Sequence, residues 1–352
     1  MKEGDPRTLV ATMGCRTRVL GNVHDPNNEI SYGRGNLFMV TLNLPYYALE
    51  AVEYCKEHPD TDKITKFYEI FDERIQDAFG QLDERFEIVA KRKAKNYPFL
   101  MGQHVYLGSE KLHPDDEIRE VLKQGTLTIG FIGLAETLVA LVGKHHGESK
   151  TAWELGYQII SHLNDACKAK SDETKMNYSC MGTPAEGCCG RLLKSVRKRF
   201  GTLKGISDHE YLSNSHHLPV YFPVSAYDKV RLEAPFHKLE PAGQISYVEL
   251  DADASQNPEA FEELVTFMAD SDMGYFSINH PVDRDPICGY VGIIGDTCPR
   301  CGRHSGEGVP ASKLLSLTSY SPDPQYVVRY TEAEERDLVT NPLTFTEVKH
   351  ND

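Results

Sequence analysis

Short apolar runs alternate along the chain with longer stretches whose apolar residues recur at the spacing of an amphipathic helix. The runs that fit strands are 37–43, 126–132, 176–181, 220–225 and 275–279. The stretches that fit helices are 46–57, 62–95, 134–145, 150–170, 184–200 and 256–271. The strand runs are apolar on both faces, as in a sheet covered on both sides. Strands and helices in repeated order predict parallel pairing and an α/β fold.

Charge and apolar content narrow the classes of function. Against 38 basic residues stand 52 acidic ones, a net charge of −14 over 352 residues. This balance disfavours nucleic acid as a partner, because binding to its phosphates needs a positive face. The longest apolar stretch, 127–142, is interrupted by glycine and Glu136 and is too short to span a membrane. The N-terminal residues lack the apolar h-region of a secretory signal peptide, so we expect no membrane association and a cytoplasmic location.

The cysteines suggest a metal site near the C-terminal end. Nine cysteines, an odd number, favour reduced thiols, metal ligation or thiol chemistry over a disulfide framework. Cys298-Pro-Arg-Cys301-Gly has the form of a zinc-ribbon knuckle, and a second knuckle around Cys288 has Asp285 in place of its other cysteine. We expect zinc on these three thiolates, with Asp285 or water as fourth ligand. The alternative is a degenerate ribbon without metal.

A candidate phosphate site lies between a predicted strand and a predicted helix. Its sequence is Thr183-Pro184-Ala185-Glu186-Gly187. Thr183 suits an N-cap and Pro184 the first helical position. The backbone N–H groups and the dipole at such a helix start can hold a phosphate. An ordinary capped helix is the alternative reading, and the following pair Cys188–Cys189 is interpreted as packing.

Cys15 is the candidate reactive thiol. In Met13-Gly14-Cys15-Arg16 a glycine precedes the cysteine, and Gly33-Arg34-Gly35-Asn36 follows further along. Glycines permit tight turns that project a thiol, and nearby arginines favour an anion or a thiolate. A buried, unreactive cysteine is the alternative. The pairs His145–His146 and His216–His217 lack ligand spacing and are interpreted as surface or capping residues.

Taken together and in order, five motifs resemble one family. They are Met13-Gly-Cys15-Arg, Gly33-Arg-Gly-Asn36, Thr183-Pro-Ala-Glu186, Asn279-His-Pro-Val282 and the terminal Cys-x-x-Cys. This set is similar to the catalytic subunit of anaerobic ribonucleoside-triphosphate reductase, the glycyl-radical (class III) branch of the ribonucleotide reductases. The resemblance covers almost the whole chain.

The resemblance implies a fold and a division into domains. The family's ten-stranded α/β barrel consists of two five-stranded halves joined by a finger loop. Residues 1–280 would form the C-terminal half with the finger loop at about 12–36, residues 281–308 a zinc-ribbon module, and residues 309–352 the C-terminal tail. The five predicted strands are half a barrel, so we expect the N-terminal half and the allosteric domain to be encoded elsewhere. Such a half-barrel alone leaves open strand edges and would self-associate.

The resemblance also implies chemistry and partners. Cys15 would become a thiyl radical that removes the 3′ hydrogen of a ribonucleoside triphosphate. The segment 183–187 would cradle the substrate phosphates, and the ribbon cysteines would hold structural zinc. An iron–sulfur radical-SAM activase would generate a glycyl radical, and the subunit would form a homodimer.

One departure concerns the radical glycine. The family's tail motif reads Arg-Val-Thr-Gly-Tyr, and the best match is Ser316-Leu-Thr-Ser319-Tyr320, with Ser319 at the glycine position. Residues 309–352 contain no glycine. A serine side chain crowds the planar geometry that stabilises such a radical. The chain is therefore expected to be the C-terminal part of the reductase or, alternatively, a non-catalytic relative that acts by binding.

Overall fold

The computed structural model describes most of the chain. The described residues are 5, 9–10, 12, 16–183, 188–250, 257–279, 283–284, 288, 290–292 and 297–302. They fall into two compact units. The first takes its residues from 1–132, 154–184 and 236–244, and the second from 133–153, 185–235 and 245–352.

The elements alternate as an α/β chain does. The strands are β1 (Asn36–Asn43), β2 (Thr126–Ile132), β3 (Asn177–Gly182), β4 (Ser246–Glu249), β5 (Phe276–Asn279), β6 (Asp283–Arg284) and β7 (Val291–Gly292). The helices are α1 (Leu44–Glu57), α2 (Lys63–Ala90), α3 (Arg119–Leu122), α4 (Leu134–Val142), α5 (Lys150–Thr174), α6 (Cys188–Phe200), α7 (Ala226–Glu233) and α8 (Pro258–Ala269). Within the described ranges, no helix is both long enough and apolar enough to cross a membrane.

The first unit is built on a parallel sheet in the order β1-β2-β3. Val40 lies opposite Ile129, which in turn lies opposite Cys180. Every residue of the central strand β2 is buried, which explains why its sequence contains no charged residue. The predictions of strands at 37–43, 126–132 and 176–181 are confirmed.

Helix α2 buries one stripe of side chains at intervals of three and four residues. The buried residues are Phe67, Phe71, Ile75, Ala78, Phe79, Leu82, Phe86 and Ala90. The helix begins where the Asp62 carboxylate accepts a hydrogen bond from the backbone N–H of Thr65 at 2.8 Å. The cap supplies a partner to one of the four N–H groups that a helix start leaves unsatisfied.

The second unit contains the parallel pair β4–β5. Its core is formed by side chains of β4, α7, α8 and the segment after α8, namely Val230, Ala234, Val248, Leu264, Met268 and Met273. Helix α7 begins at Ser225, whose hydroxyl accepts from the backbone N–H of Asp228 at 3.1 Å. The short strands β6 and β7 pair antiparallel.

The predicted strand at 220–225 is wrong. These residues form turns and irregular backbone, and the strand that pairs with β5 is β4 instead. Proline at 219 and at 223 removes two backbone donors that a sheet ladder would need. The four residues of β4 are too short a run to stand out from the sequence. In the described parts of the chain the parallel strands form a three-stranded and a two-stranded sheet, so a single five-stranded sheet is not observed there.

Candidate active site

The residues that follow Cys15 lie at the edge of the first unit's sheet. Thr17 pairs antiparallel with Gly243, and the backbone N–H of Arg18 donates to the carbonyl of Ala242 at 2.8 Å. The segment 242–243 in turn bonds to β3: Ala242 donates to the carbonyl of Cys180 at 3.0 Å. The chain just after the candidate radical cysteine is therefore attached to the sheet through residues 242–243.

Gly243 permits this close approach. Its φ is +139°, a conformation that residues with a side chain rarely adopt. A Cβ at this position would overlap the carbonyl oxygen of Arg16 and lie 2.9 Å from the Cα of Thr17. Both obstacles are backbone atoms, which cannot move aside without detaching the segment. Sequence reasoning did not single out this glycine, because its requirement comes from a segment more than 200 residues away.

Arg16 and Thr183 are in direct contact. Arg16 is 2 % exposed, and its Nη1 donates to the carbonyl of Thr183 at 3.4 Å. Its Nε is buried and has no hydrogen-bond partner among the described residues. Arg16 directly follows Cys15, and Thr183 directly precedes the segment 184–187. The structure therefore brings together the neighbours of two segments that the sequence predicted to be functional.

The carboxyl ends of all three strands converge on Thr183. Its buried hydroxyl lies 3.3 Å from the hydroxyl of Thr41, near the end of β1. Gly130 of β2 leaves room for the Thr183 hydroxyl, since a Cβ at this position would overlap it. Ligands of open parallel sheets bind outside the carboxyl ends of the strands. This end of the sheet is thus the position expected for a binding site.

Some of the other predicted site residues are described by the structure, and some are not. Cys15, Asp285, Ser319 and the segment 184–187 lie outside the described residues. Helix α6 begins at Cys188, directly after that segment, and Cys189 is buried, as its interpretation as a packing residue requires. Thr183, Cys288, Cys298 and Cys301 are described.

The three C-terminal cysteines form a cluster that could hold a metal ion. Their sulfurs lie within 4.8 Å of one another, and those of Cys288 and Cys298 are 3.6 Å apart. This separation exceeds the roughly 2.05 Å of a disulfide. It is close to the about 3.8 Å between two sulfurs that bind one tetrahedral zinc at about 2.3 Å. Gly302, with φ +72°, closes the knuckle turn by donating to the carbonyl of Cys298 at 2.9 Å. The donor set and the turn fit zinc.

The interpretation of the histidine pairs as surface residues is wrong. His145, His146, His216 and His217 are all buried. His145 does act as a cap, since its Nδ1 accepts from the backbone N–H of Gly147 at 3.1 Å. His216 and His217 instead face tertiary neighbours, which residue spacing along the chain does not reveal.

Glu136 is a buried carboxylate that sequence reasoning missed. It lies in the first turn of α4, where its Oε1 accepts from both the backbone N–H and the hydroxyl of Ser213, each at 2.8 Å. Its Oε2 is buried without a hydrogen-bond partner among the described residues. Burial raises the pKa of Glu136 to about 7, against the effect of the Ser213 hydrogen bonds. The signal available in the sequence was an acidic residue inside the apolar stretch 127–142.

Several solved structures with a similar fold are anaerobic ribonucleotide reductases. One such structure has a TM-score of 0.61 and 20% identity, covering 77% of this chain and 39% of the other. The enzyme from Thermotoga maritima, solved with dATP bound in the specificity site, has a TM-score of 0.56 and 19% identity over 79% of this chain and 42% of its own. These likenesses show the fold.

The sequence comparisons identify the family. The family described as anaerobic ribonucleoside-triphosphate reductase matches residues 1–313, and the chain belongs to it. The reductase of Haemophilus influenzae is 33% identical over 321 residues, 89% of this chain and 43% of the relative. That of Enterobacteria phage T4 is 32% identical over 300 residues, 83% of this chain and 46% of the relative. The resemblance seen in the motifs is confirmed, and the chain spans less than half the length of these relatives.

Proposed function

We propose that this chain is the C-terminal part of the catalytic subunit of an anaerobic ribonucleoside-triphosphate reductase. The observation that carries the proposal is the contact between Arg16 and Thr183. Cys15 is one peptide bond from Arg16, and Pro184 is one peptide bond from Thr183. This link supports a site in which the Cys15 thiol and the segment 184–187 act on one substrate molecule.

In the proposed reaction, Cys15 acts as a thiyl radical toward the ribose. It takes the 3′ hydrogen atom, forming an S–H bond as the C3′–H bond breaks. The 2′ hydroxyl then leaves as water after protonation, and a reductant, formate or a thiol protein, supplies two electrons. The thiol returns a hydrogen atom to C3′, and the net change is a ribonucleotide reduced to a deoxyribonucleotide plus water.

The phosphate-binding role of residues 183–187 has local support. The 13-residue helix α6 begins directly after them, and its N-terminal dipole favours an anion. The buried guanidinium of Arg16 adds a positive charge beside Thr183. The Thr183 hydroxyl already has a hydrogen-bonding neighbour in the Thr41 hydroxyl, so we assign the backbone of the segment to the phosphates.

The remaining assignments follow the family. Residues 1–280 would belong to a ten-stranded barrel with the finger loop at about 12–36, and residues 281–308 to a zinc ribbon. Cys288, Cys298 and Cys301 would hold zinc, with Asp285 or water completing the site, and the ion would stabilise the ribbon structurally. The partners would be the N-terminal half of the subunit, the radical-SAM activase and a second copy in a homodimer. The site of action would be the cytoplasm, where its nucleotide substrates occur.

Radical storage provides the test. After incubation with activase, S-adenosylmethionine and reductant, we expect no glycyl doublet in electron paramagnetic resonance, because Ser319 occupies the glycine position. Ser319→Gly should gain the doublet and, with the N-terminal half of a relative added, convert ribonucleoside triphosphate to product. In that background Cys15→Ser should abolish product, whereas Cys55→Ser, a matched thiol elsewhere in the chain, should not. Product from the Cys15→Ser variant would refute the assignment.

A further inference from the structure

The second unit contains a buried cluster of metal-ligand side chains distinct from the cysteines. His216, His217 and Glu233 each offer a ligand atom, and the three atoms lie within 4.8 Å of one another. The exposed fractions of the three residues are 0%, 5% and 0%. Two imidazoles and a carboxylate are the protein ligands of one class of zinc site and of 2-His-1-carboxylate iron sites. Nothing in the chemistry proposed above uses them.

The histidine rings are oriented by the start of β4. The Nε2 of His217 lies 2.6 Å from the carbonyl oxygen of Ile245. Because a carbonyl only accepts, Nε2 carries the proton, and the neutral ring keeps a lone pair on Nδ1. The Nε2 of His216 lies 3.4 Å from the hydroxyl of Ser246. Metal-binding histidines are commonly held in this way, with one ring nitrogen bonded to a backbone carbonyl.

The carboxylate of Glu233 has one oxygen available for a cation. Its Oε1 accepts from the backbone N–H of Leu218 at 3.0 Å and pairs with the ammonium of Lys229. Its Oε2 is buried and has no hydrogen-bond partner within the described part of the chain. Paired with the Lys229 ammonium through Oε1, the carboxylate keeps Oε2 for a metal ion.

Lys229 competes for the same carboxylate. It lies one turn before Glu233 on α7, and its side chain is 19% exposed, so it can rotate toward water. Two ligand atoms bound at about 2.1 Å to one tetrahedral ion lie about 3.4 Å apart, so ligand atoms now within 4.8 Å of one another would approach by at most about 1.4 Å around an ion. Removing the ammonium should make this easier.

We propose that His216, His217 and Glu233 bind one divalent transition-metal ion of the zinc class. The ion would tie His216 and His217, which contact Ser246 and Ile245 at the start of β4, to Glu233 at the end of helix α7. It would be a second metal, with nitrogen and oxygen ligands only.

Cobalt spectroscopy of the full-length chain tests the proposal. In a Cys288→Ser, Cys298→Ser, Cys301→Ser background, one equivalent of Co²⁺ should give visible ligand-field bands without thiolate charge-transfer bands. His217→Gln, whose amide can still donate to the Ile245 carbonyl, should weaken binding by more than the about 10–100-fold typical of losing an outer partner. His145→Gln, a buried histidine outside the cluster, should leave the Co²⁺ affinity unchanged. Equal affinity in the His217→Gln and His145→Gln variants would overturn the proposal.

Lys229→Met distinguishes a metal site from a purely structural Lys229–Glu233 ion pair, because the two predict opposite effects on stability in the presence of metal. If the cluster binds metal, losing the competing ammonium should tighten Co²⁺ binding, and added metal should raise the melting temperature of this variant. If Glu233 serves only to pair with Lys229, the variant should be destabilised and metal should not rescue it. Absence of ligand-field bands in both the cysteine background and its Lys229→Met derivative would also reject the site.

Discussion

Gly243→Ala tests whether the segment after Cys15 depends on a backbone position that only glycine can occupy. The substitution places a Cβ against the carbonyl of Arg16, 2.8 Å from the Arg16 carbonyl carbon and 2.9 Å from the Cα of Thr17. The φ of +139° is a strained region for alanine, at a cost of about 1–3 kcal/mol. Overpacking against atoms that cannot move typically costs about 1–3 kcal/mol more. We therefore expect a loss of about 2–6 kcal/mol if the segment stays attached.

Detachment of the segment is the other way to relieve the overlap. It would give up the hydrogen bond from Arg18 to Ala242, about 1 kcal/mol net, together with the burial of Arg16. The backbone N–H of Arg18 would then exchange with solvent faster, while amides of the central strand β2 keep their protection. Urea unfolding and amide hydrogen exchange on the full-length chain measure the two outcomes. Either outcome should also reduce turnover in the Ser319→Gly background.

Gly21→Ala is the matched control. Gly21 also has a positive φ, +62°, but a Cβ there would meet no atom within 4 Å. Alanine should cost only the about 1–2 kcal/mol of the left-handed conformation. If both variants lose the same stability and keep the same protection at Arg18, the steric role assigned to Gly243 is incorrect.

Three further predictions concern metal, pH and the sheet. Cys301→Ser should release zinc, measured by metal analysis, and lower the stability of the C-terminal region, whereas Cys55→Ser should do neither. The pKa of Glu136 is raised from an ordinary 4.5 to about 7 in the folded protein. Its protonated form therefore contributes about 3 kcal/mol to the free energy of unfolding below pH 4.5, and this contribution is lost as the pH rises through 7. Glu136→Gln should flatten that part of the stability–pH curve, and an unchanged slope would contradict the assignment. Gly130→Ala should be destabilising because its Cβ overlaps the Thr183 hydroxyl, and Thr183→Ala should recover part of the loss in a double-mutant cycle of urea midpoints.

Much of the fold was determined by the sequence alone, because it depends on patterns a few residues long. The apolar run of β2 reflects burial on both faces, and the 3–4 residue spacing in α2 reflects one buried face. The knuckle from Cys298 to Gly302 is also local, since its turn is closed within five residues. The ordered motifs were sufficient to identify the family, because together they are far more specific than any single one.

The contacts between distant residues depend on packing that local sequence patterns do not encode. The contact of Arg16 with Thr183 and the requirement for Gly243 join segments 167 residues or more apart. The His216–His217–Glu233 cluster likewise depends on how the segment before α7 packs against the end of that helix, which periodicity does not report. The wrong strand prediction at 220–225 has the same origin. An apolar run does not show that prolines have removed backbone donors, nor that β4 is the strand that pairs with β5. Local sequence encodes burial and backbone preference, whereas the choice of partners is made by packing across the chain.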